Sequence, residues 1–523
     1  MKKTFAILLT LSAFFGYQSF AQNIVSSDML RFSQNYSWGT ARAMGMGGAF
    51  GALGGDMTSL SINPAGIGVY RSSEFVFTPM VSYNTANSNF EGNTLKSEDF
   101  SNKFNLSNIG YIYNYNSNKD QGWVSASFGI TYNRLNDFNR NVVMKNPSAT
   151  SSLLDEFVYY ANGAPTQTPY YDHINKVAPG NLYEYYENLA WLTYAIDTVM
   201  YYDGRYHSDY SFDNTYGQYM ERRRSIKGGI GEYAFSFGAN YSNKLYLGMT
   251  IGVDHVNYNE VTNHNETDQN GTIPNLSSFD FNEHLNIYGT GYNFKFGAIY
   301  KPVDMVRLGV AIHSPTFYTL SSEFYTSMDS YFDSGVADGN TRASAESFTR
   351  SSTNALNTPW KAIFSGAITF QQAGLISVDY ERLNYKNMRL SGDNADQPNN
   401  DVSTQYKAVN NLRIGAEGKL DDIAFRVGYG LYSTPYTSNE LDYINYTSYS
   451  AGVGYRGKSF FIDFAYVMLK YPDLYTLYQY RESLVNLGDA QNPDYVNNWT
   501  NDPVRAKTDY TLNKFVCTLG FRF

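Results

Sequence analysis

The chain has 523 residues, of which 17% are aromatic and only 17% charged, and its formal net charge is −9. The acidic balance argues against a nucleic-acid partner, because no basic stripe is present to neutralise phosphates. The single cysteine, Cys517, excludes an internal disulfide. The 49 Tyr, 34 Phe and 43 Gly instead suit a barrel in lipid, with its aromatic girdles and tight strand contacts.

Residues 1–21 have the pattern of a cleaved secretory signal. Lys2 and Lys3 form the charged region, Phe5 to Phe15 the apolar stretch, and Ser19-Phe20-Ala21 a small-x-small cleavage site. No later segment has the roughly 18 consecutive apolar residues that a membrane-spanning helix needs. We therefore expect an exported mature chain that has no helical anchor.

Residues 22–72 do not alternate like strands and are predicted to form a compact hatch, or plug. Their centre, from Gly39 to Gly68, is dense in glycine, which lets backbones approach closely. The run 45–51 superficially resembles a phosphate-binding loop. It lacks both a preceding buried strand and the Lys-Ser/Thr pair of a nucleotide site, so close packing is the better interpretation.

Residues 73–523 contain segments in which apolar and polar residues alternate, the pattern of strands with one face in lipid. In 122–133, for example, Val124, Ala126 and Phe128 face one way, and Ser125 and Ser127 face the other. About fourteen such segments are present, an even number as expected of a bacterial barrel. They are 73–84, 104–116, 121–133, 229–241, 244–258, 284–300, 305–320, 360–370, 375–385, 407–418, 423–432, 446–455, 460–469 and 510–523.

The connectors between these segments alternate between short and long. Six are short, and the other seven are mostly long, including 134–228, 259–283, 321–359 and 470–509. Short periplasmic turns and long extracellular loops are typical of outer-membrane barrels. The predicted fold is therefore all-β: a transmembrane antiparallel β-barrel of about 14 strands, with its lumen plugged by the N-terminal hatch.

The longest connector, 134–228, is predicted to be an extracellular loop that carries a helix. Leu182, Tyr185, Leu189, Leu192, Ile196 and Val199 follow helical spacing. Such a stripe is usually buried against its own protein, which favours a lid packed on the barrel rim. The alternative is an apolar surface that receives a hydrophobic ligand.

Charged residues interrupt the polar faces of several predicted strands and are expected to face the lumen, since lipid exposure would cost a few kcal/mol. These residues are Arg307, Asp379, Glu381, Arg413, Glu417, Arg426 and Asp463. We interpret them as ion pairs that stiffen the barrel and hold the hatch, rather than as ligand contacts.

Catalytic, metal and cofactor sites are not predicted. The six histidines form no HExxH motif, and no paired cysteines are present to hold a metal ion. His255, His284 and His313 lie on predicted strands and could serve a lipase-like site only together with a nearby serine. Isolated histidines are more often ordinary wall residues, so we expect that the protein is not an enzyme.

The last strand ends at Phe523 and has an apolar face formed by Phe515, Cys517, Leu519, Phe521 and Phe523. It is predicted to close the barrel by pairing with the strand near Phe75. As in similar barrels, Phe521 and Phe523 are expected to be the assembly signal for the outer-membrane insertion machinery.

The N-terminal segment resembles the hatch of the FadL-type outer-membrane transporters of long-chain fatty acids and aromatic hydrocarbons. The resemblance rests on the run from Gly39 to Phe50, on Asp56, and on Asn63-Pro64-Ala65-Gly66. Further similar segments at 293–302, 307–310, 377–380 and 411–417 extend the resemblance over nearly the whole mature chain. The hatch motif residues are Arg42, Gly45, Gly47, Gly48, Asn63, Pro64, Ala65 and Gly66.

The resemblance implies a monomeric, passive transporter whose partners are membrane lipid and a hydrophobic small molecule, such as a fatty acid, a similar lipid or an aromatic compound. The ligand would bind above the hatch, and a shift of the hatch N-terminus would let it leave laterally through the wall. The residues that contact the ligand are not identified by the resemblance. Some similar barrels serve protein secretion and surface attachment, and this second function stays open.

Overall fold

The computed structural model describes most of the chain. Among the described residues, every helix is too short or too polar to cross a membrane. The predicted secretory signal lies outside them. They are residues 24–523 except 37, 91–92, 94, 163–181, 198–205, 212–216, 337–338, 371–372, 439–440, 442, 482–484, 487–494 and 497–500.

Strands dominate this part of the chain, and nineteen of them form one antiparallel sheet, while β19 and β20 pair only with each other. Their bounds are β1 Glu74–Phe90, β2 Ser97–Asn116, β3 Trp123–Asp137, β4 Arg140–Ala149, β5 Gln218–Tyr241, β6 Leu245–Thr267, β7 Leu276–Val303, β8 Val306–His313, β9 Phe317–Phe332, β10 Arg342–Glu346, β11 Arg350–Asn357, β12 Lys361–Phe370, β13 Gly374–Asn384, β14 Arg389–Ser391, β15 Ala408–Leu420, β16 Ile423–Tyr432, β17 Tyr446–Arg456, β18 Phe460–Arg481, β19 Val485–Asn486, β20 Tyr495–Val496 and β21 Asn501–Arg522.

The sheet closes into a barrel, because β1 pairs with β2 on one edge and with β21 on the other. Five of the nineteen strands continue a neighbour in the same crossing: β4 continues β3, β9 continues β8, β10 and β11 precede β12, and β14 continues β13. Fourteen crossings, here called walls, remain. Phe75 lies opposite Phe521, so the predicted closure is confirmed, as is the predicted fold class, a closed 14-strand antiparallel barrel.

Large apolar side chains cover the outer surface and form two aromatic belts. One belt lies beside the short turns and includes Trp123, Tyr241, Tyr300, Phe370, Tyr455 and Phe460, and the other includes Tyr233, Tyr292, Phe317, Trp360 and Tyr449, all exposed. Aromatic residues at two levels around an apolar band mark the two interfaces of a bilayer. The barrel surface is therefore built to face lipid.

Several strands extend farther than the sequence predicts. β6 reaches Thr267 and β18 reaches Arg481, so much of the predicted loops 259–283 and 470–509 is strand. The predicted loop 134–228 likewise contains the end of β3, all of β4 and the start of β5. Beyond the membrane both faces of a strand meet polar surroundings, so its ladder continues although the alternation on which the prediction relied disappears.

The single strand predicted over 305–320 is wrong, because β8 and β9 are separated by residues 314–316. Strands β10 and β11 were likewise expected to be loop. Pro315 cannot donate to the ladder, which explains an interruption at this point.

The hatch fills the lumen with short helices, and longer connectors carry three more. The hatch contains α1 Ser26–Ser33, α2 Ala41–Gly45, α3 Ser59–Ile62 and a 3-10 helix at Pro64–Val69, and the connectors contain α4 Leu153–Ala161, α5 Glu187–Leu192 and α6 Asp396–Gln405. Thr40 caps α2 by accepting a hydrogen bond from the Ala43 amide at 3.2 Å.

The helix predicted over 182–199 is much shorter in the structure, where α5 has six residues. Leu189 and Ile196 are buried, whereas Leu192 is exposed; Val199 lies outside the described residues. Because Leu189 and Ile196 pack into an apolar cluster with α4 and the upper strands, the placement agrees with a lid on the rim.

Candidate functional site

The hatch touches the walls through glycines on both sides of the contact. An added Cβ at each of six inward-facing wall glycines would overlap a hatch residue; they are Gly238, Gly248, Gly297, Gly309, Gly415 and Gly428. Within the hatch, Gly47 and Gly48 have φ of +65° and +75°, which disfavours other residues. Glycine thus allows backbone-to-backbone packing between hatch and barrel.

A chain of ion pairs joins the hatch to the walls near the periplasmic end. Arg42 of α2 donates to Glu417 at 3.0 and 3.2 Å. Glu417 also accepts from Arg426 at 2.7 Å, and Arg426 donates to Asp463 at 2.7 Å. Arg456 completes the chain at 3.0 Å from Asp463. The predicted lumen charge Glu417 therefore binds the hatch through Arg42, and Arg426 links Glu417 to Asp463 of the next walls.

Three more of the predicted lumen charges also lie inside the barrel. Asp379 accepts hydrogen bonds from the Phe50 and Gly51 amides of the hatch at 3.0 Å. Arg307 donates to the Leu53 carbonyl at 2.7 Å. Arg413 is different: its Nη1 lies 3.2 Å from Glu381, and it lines a cavity.

The second half of the hatch motif forms a turn against the walls. Asn63 accepts from the Ala65 amide at 3.1 Å and donates to the Gly51 carbonyl at 2.6 Å. Pro64 begins the 3-10 helix, and Gly66 has no room for a side chain, since a Cβ would lie 2.5 Å from Ser59 Oγ. These residues shape the hatch, and Gly45 of α2 similarly packs against the Gly452 backbone.

The closing strand serves both the hatch and the lipid face. Val516, the apolar residue on its otherwise polar face, packs against the hatch. Thr518 accepts from the Ala41 amide at 2.7 Å, and Lys514 lies 3.4 Å from the Trp38 ring centroid. Phe521 and Phe523 are exposed on the outside, and their role as an assembly signal stays a prediction.

A cavity of about 80 Å³ lies between the hatch and the walls, enough for a few water molecules. Most of the residues that line it are polar or charged. The ionisable side chains that line it are Arg134, Glu232, Asp254, Lys295, His313, Lys361, Glu381 and Arg413. Within the described part of the chain, no group of His, Cys, Asp and Glu residues is arranged to hold a metal ion.

Some polar atoms of this lining are buried without a hydrogen-bond partner. They include Nε and Nη2 of Arg413, the Tyr36 hydroxyl and Nε1 of Trp38. Nε and Nη2 form one edge of a guanidinium, the edge that binds a carboxylate through two parallel hydrogen bonds. The cavity therefore presents donors that can take an anionic group.

Of the ionisable lining residues, Arg413 and Glu381 were singled out from the sequence as lumen charges, and His313 only as a strand histidine. Glu232, Lys295 and Lys361 were missed, although they lie on the polar faces of strands that were predicted. The alternation of apolar and polar residues therefore showed that these side chains face the lumen. Which of the lumen-facing residues surround one cavity depends on the order of the walls.

The wall beside the cavity is incomplete. The ladder between β2 and β3 ends at the pair Asn108 and Asn133, so residues 97–107 of β2 have no ladder partner on that side. Side-chain hydrogen bonds still cross there, from Asn105 to Asp137 at 2.8 Å and from Asn141 to the Phe100 carbonyl at 3.3 Å. Above this point β3 bends inward to the hatch, where Asn136 donates to the Gln34 carbonyl at 2.9 Å. The Tyr36 amide donates to the Leu135 carbonyl at 3.4 Å. The inward bend separates β3 from β2 in the outer half of the barrel.

No protein-family model and no curated protein matches the sequence. Among solved structures, the P. putida toluene transporter TodX is 12% identical over 94% of this chain and 99% of its own, with a TM-score of 0.49. The Ralstonia pickettii toluene transporter TbuX is 14% identical over 94% and 100%, with a TM-score of 0.47. A structure described as a TodX monoaromatic hydrocarbon channel deltaS2 mutant is 12% identical over 92% and 98%, with a TM-score of 0.50. At this identity, the last likeness supports a common fold.

Proposed function

We propose that the protein is a passive outer-membrane transporter of hydrophobic small molecules, in which the hatch gates diffusion and the ligand leaves laterally. The observation that carries the proposal is the cavity enclosed between the hatch and the inward bend of β3. The hatch motif resembles that of FadL-type transporters, and solved structures named as toluene transporters have a similar barrel.

Lateral exit is supported by the missing ladder between β2 and β3. An unpaired strand edge in lipid is costly, so a barrel keeps one only where protein or ligand covers it. The outward-facing Phe100 and Phe104 beside this edge are strongly exposed. A ligand that leaves here would pass from the lumen directly into the hydrocarbon layer, which its apolar surface favours.

The cavity lining favours an amphipathic ligand with a carboxylate over a bare hydrocarbon. Lys361 and Arg413 lie 3.8 and 3.2 Å from a single carboxylate, that of Glu381. The Nε–Nη2 edge of Arg413 makes no hydrogen bond, although Nη2 lies 3.8 Å from Asp379, and this edge can bind a second carboxylate. A long-chain fatty acid has this chemistry, with an apolar tail for the bilayer.

The cavity is too small for such a ligand, so binding requires movement of the hatch. The segment 33–38 is the natural moving part, because Ser33, Tyr36 and Trp38 line the cavity and connect α1 to α2. The wall holds the backbone of this segment through the hydrogen bond from Asn136 to the Gln34 carbonyl at 2.9 Å and through the longer one from the Tyr36 amide to the Leu135 carbonyl at 3.4 Å. Displacement of this segment would join the cavity to the gap beside β3.

Uptake of labelled fatty acid and labelled toluene by a deletion strain carrying the wild-type gene or Arg413→Lys tests the proposal. Lysine keeps the positive charge but cannot form two parallel hydrogen bonds to one carboxylate. Fatty-acid uptake is therefore expected to fall, while toluene uptake changes little. Arg382→Lys is the matched control, since Arg382 is exposed on the outer face of the neighbouring β13. If the wild-type gene raises the uptake of neither compound above that of the deletion strain, the transporter proposal is refuted.

A second candidate, a barrel scaffold for protein secretion or surface attachment, is favoured by the polar lining and small volume of the cavity. In that case the hatch is a permanent plug. Affinity purification of the full chain from membranes would recover a secretion component together with the barrel. Co-purification without any uptake phenotype would favour the scaffold over the transporter.

A further inference from the structure

Three neighbouring walls reverse their inside–outside alternation at one level. On the turn side of this level, inward residues carry odd numbers, and on the extracellular side they carry even numbers. On the turn side, the inward residues beside the reversal include His313, Lys361 and Leu383. Their counterparts on the extracellular side, in the same order of walls, are Tyr318, Leu356 and Leu390. Segments 314–316, 358–360 and 385–388 connect the two halves, and we call them the seam. A reversal of this kind is the effect of a bulge in each strand.

The middle segment of the seam is weakly held to its neighbours. His313 pairs with Lys361 and Phe317 pairs with Asn357 in one continuous register, so Pro315 lies opposite Pro359. Neither proline has an amide hydrogen to donate. Pro359 and Trp360 have no ladder partner in either neighbouring wall.

The same segment separates the cavity from the membrane by the thickness of one strand. Thr358 and Pro359 are buried and line the cavity. The next residue, Trp360, is 59% exposed on the outer surface beside Phe317, in the aromatic belt on the extracellular side. When the walls are counted from β1 in chain order, the seam lies in the seventh to ninth walls. The gap between β2 and β3 separates the second wall from the third, so the two features lie in different parts of the barrel.

Resting on the proposed function, we propose that the seam is a second lateral portal, through which the hydrophobic ligand passes between the outer interface of the membrane and the cavity. Outward displacement of 358–360 opens it. Elsewhere in these walls, opening would break a continuous ladder and leave several backbone groups unpaired in lipid. At the seam, opening breaks the hydrogen bonds between Thr358 and Thr316, which run from the Thr358 amide to the Thr316 carbonyl at 3.2 Å and from the Thr316 amide to Thr358 Oγ1 at 2.8 Å. Entry here and exit beside β3 would give the cavity two openings.

Thiol labelling of the full chain in lipid vesicles tests the portal without any transport measurement. Thr358→Cys is made in a Cys517→Ser background, with Ser377→Cys as the matched control. Ser377 is also buried, but β13 pairs with both neighbours there. A maleimide confined to the lipid phase is expected to label position 358 at least about ten-fold faster, because opening exposes it. Equal rates at the two positions would overturn the portal.

A reversible disulfide tests whether the ligand uses the portal. Thr316 and Thr358 both line the cavity and are joined by a backbone hydrogen bond of 3.2 Å, a separation that a disulfide can bridge. Thr316→Cys/Thr358→Cys, in the same background, is expected to take up labelled fatty acid when reduced and to lose most of this uptake when oxidised. Equal uptake in both states, with wild-type transport intact, would refute the portal and leave the transporter standing. Absence of wild-type uptake would refute the transporter instead, and the labelling rates would then decide the portal alone.

Discussion

Replacing Gly428 by alanine tests whether glycine-mediated packing keeps the hatch in place. Gly428 lies on β16, where the hatch turn at Met46 and Gly47 rests against the wall. An added Cβ would overlap the backbone of that turn and lie 2.5 Å from Ser450 Oγ. Backbone atoms cannot rotate away as a flexible side chain can, so either the turn or the wall must shift.

The expected cost follows from the geometry. Overpacking by one methyl group in a tight site costs about 1–3 kcal/mol. The wall is fixed by ladders on both sides of Gly428, so the hatch bears most of this cost. A loss of about 2 kcal/mol raises the population of displaced hatch about 30-fold.

Permeability of intact cells to a large antibiotic measures hatch displacement, and melting of the purified barrel in detergent measures stability. Gly428→Ala is expected to increase permeability and to leave the barrel folded. Gly366→Ala is the matched control, because an added Cβ there meets nothing within 4 Å. Equal permeability of the two variants would refute the idea that these glycines hold the hatch.

Three further predictions concern the hatch and the lid. Gly47→Val, at φ +65°, is expected to lower thermal stability and raise antibiotic permeability; wild-type values of both would contradict this. Glu417→Gln leaves Arg42 and Arg426 without their shared carboxylate and should loosen the hatch by about 3–5 kcal/mol, measured by the same permeability assay, where no change would count against the ion-pair chain. Burial raises the pKa of Glu187 from 4.5 to about 7, so α5 is most stable below about pH 4.5 and loses about 3 kcal/mol as the pH rises through 7. Glu187→Gln should abolish this dependence in hydrogen exchange of α5, and its persistence would disprove the cause.

Much of the barrel could be predicted because lipid acts on each strand locally. Every residue that faces hydrocarbon must be apolar and its neighbour may be polar, so Phe515, Leu519 and Phe521 reveal a lipid face without knowledge of any partner. Val516 broke the alternation, and its contact with the hatch explains why. The upper parts of β6 and β18 were missed because no lipid constrains them.

The candidate site was predicted less completely, because it depends on which walls meet around the hatch. Arg413 was expected in the lumen, but which of its nitrogens lack a hydrogen bond depends on where Glu381 and Asp379 lie around it. Lys295 and Lys361 join Arg413 from two other walls. No spacing along the chain links these three residues.

By itself, the sequence determined that the barrel surface faces lipid, that the barrel has about fourteen walls and that the hatch is rich in glycine. Alternation and glycine content are local properties of the chain, so both can be recognised without knowledge of the fold. The tertiary structure decided where the walls fail: beside the inward bend of β3 and at the seam around Pro359. A ladder is a relation between two strands, so its absence becomes visible only when both strands are in place. The same holds for the polar cavity between the two interruptions, whose lining comes from residues far apart in the chain.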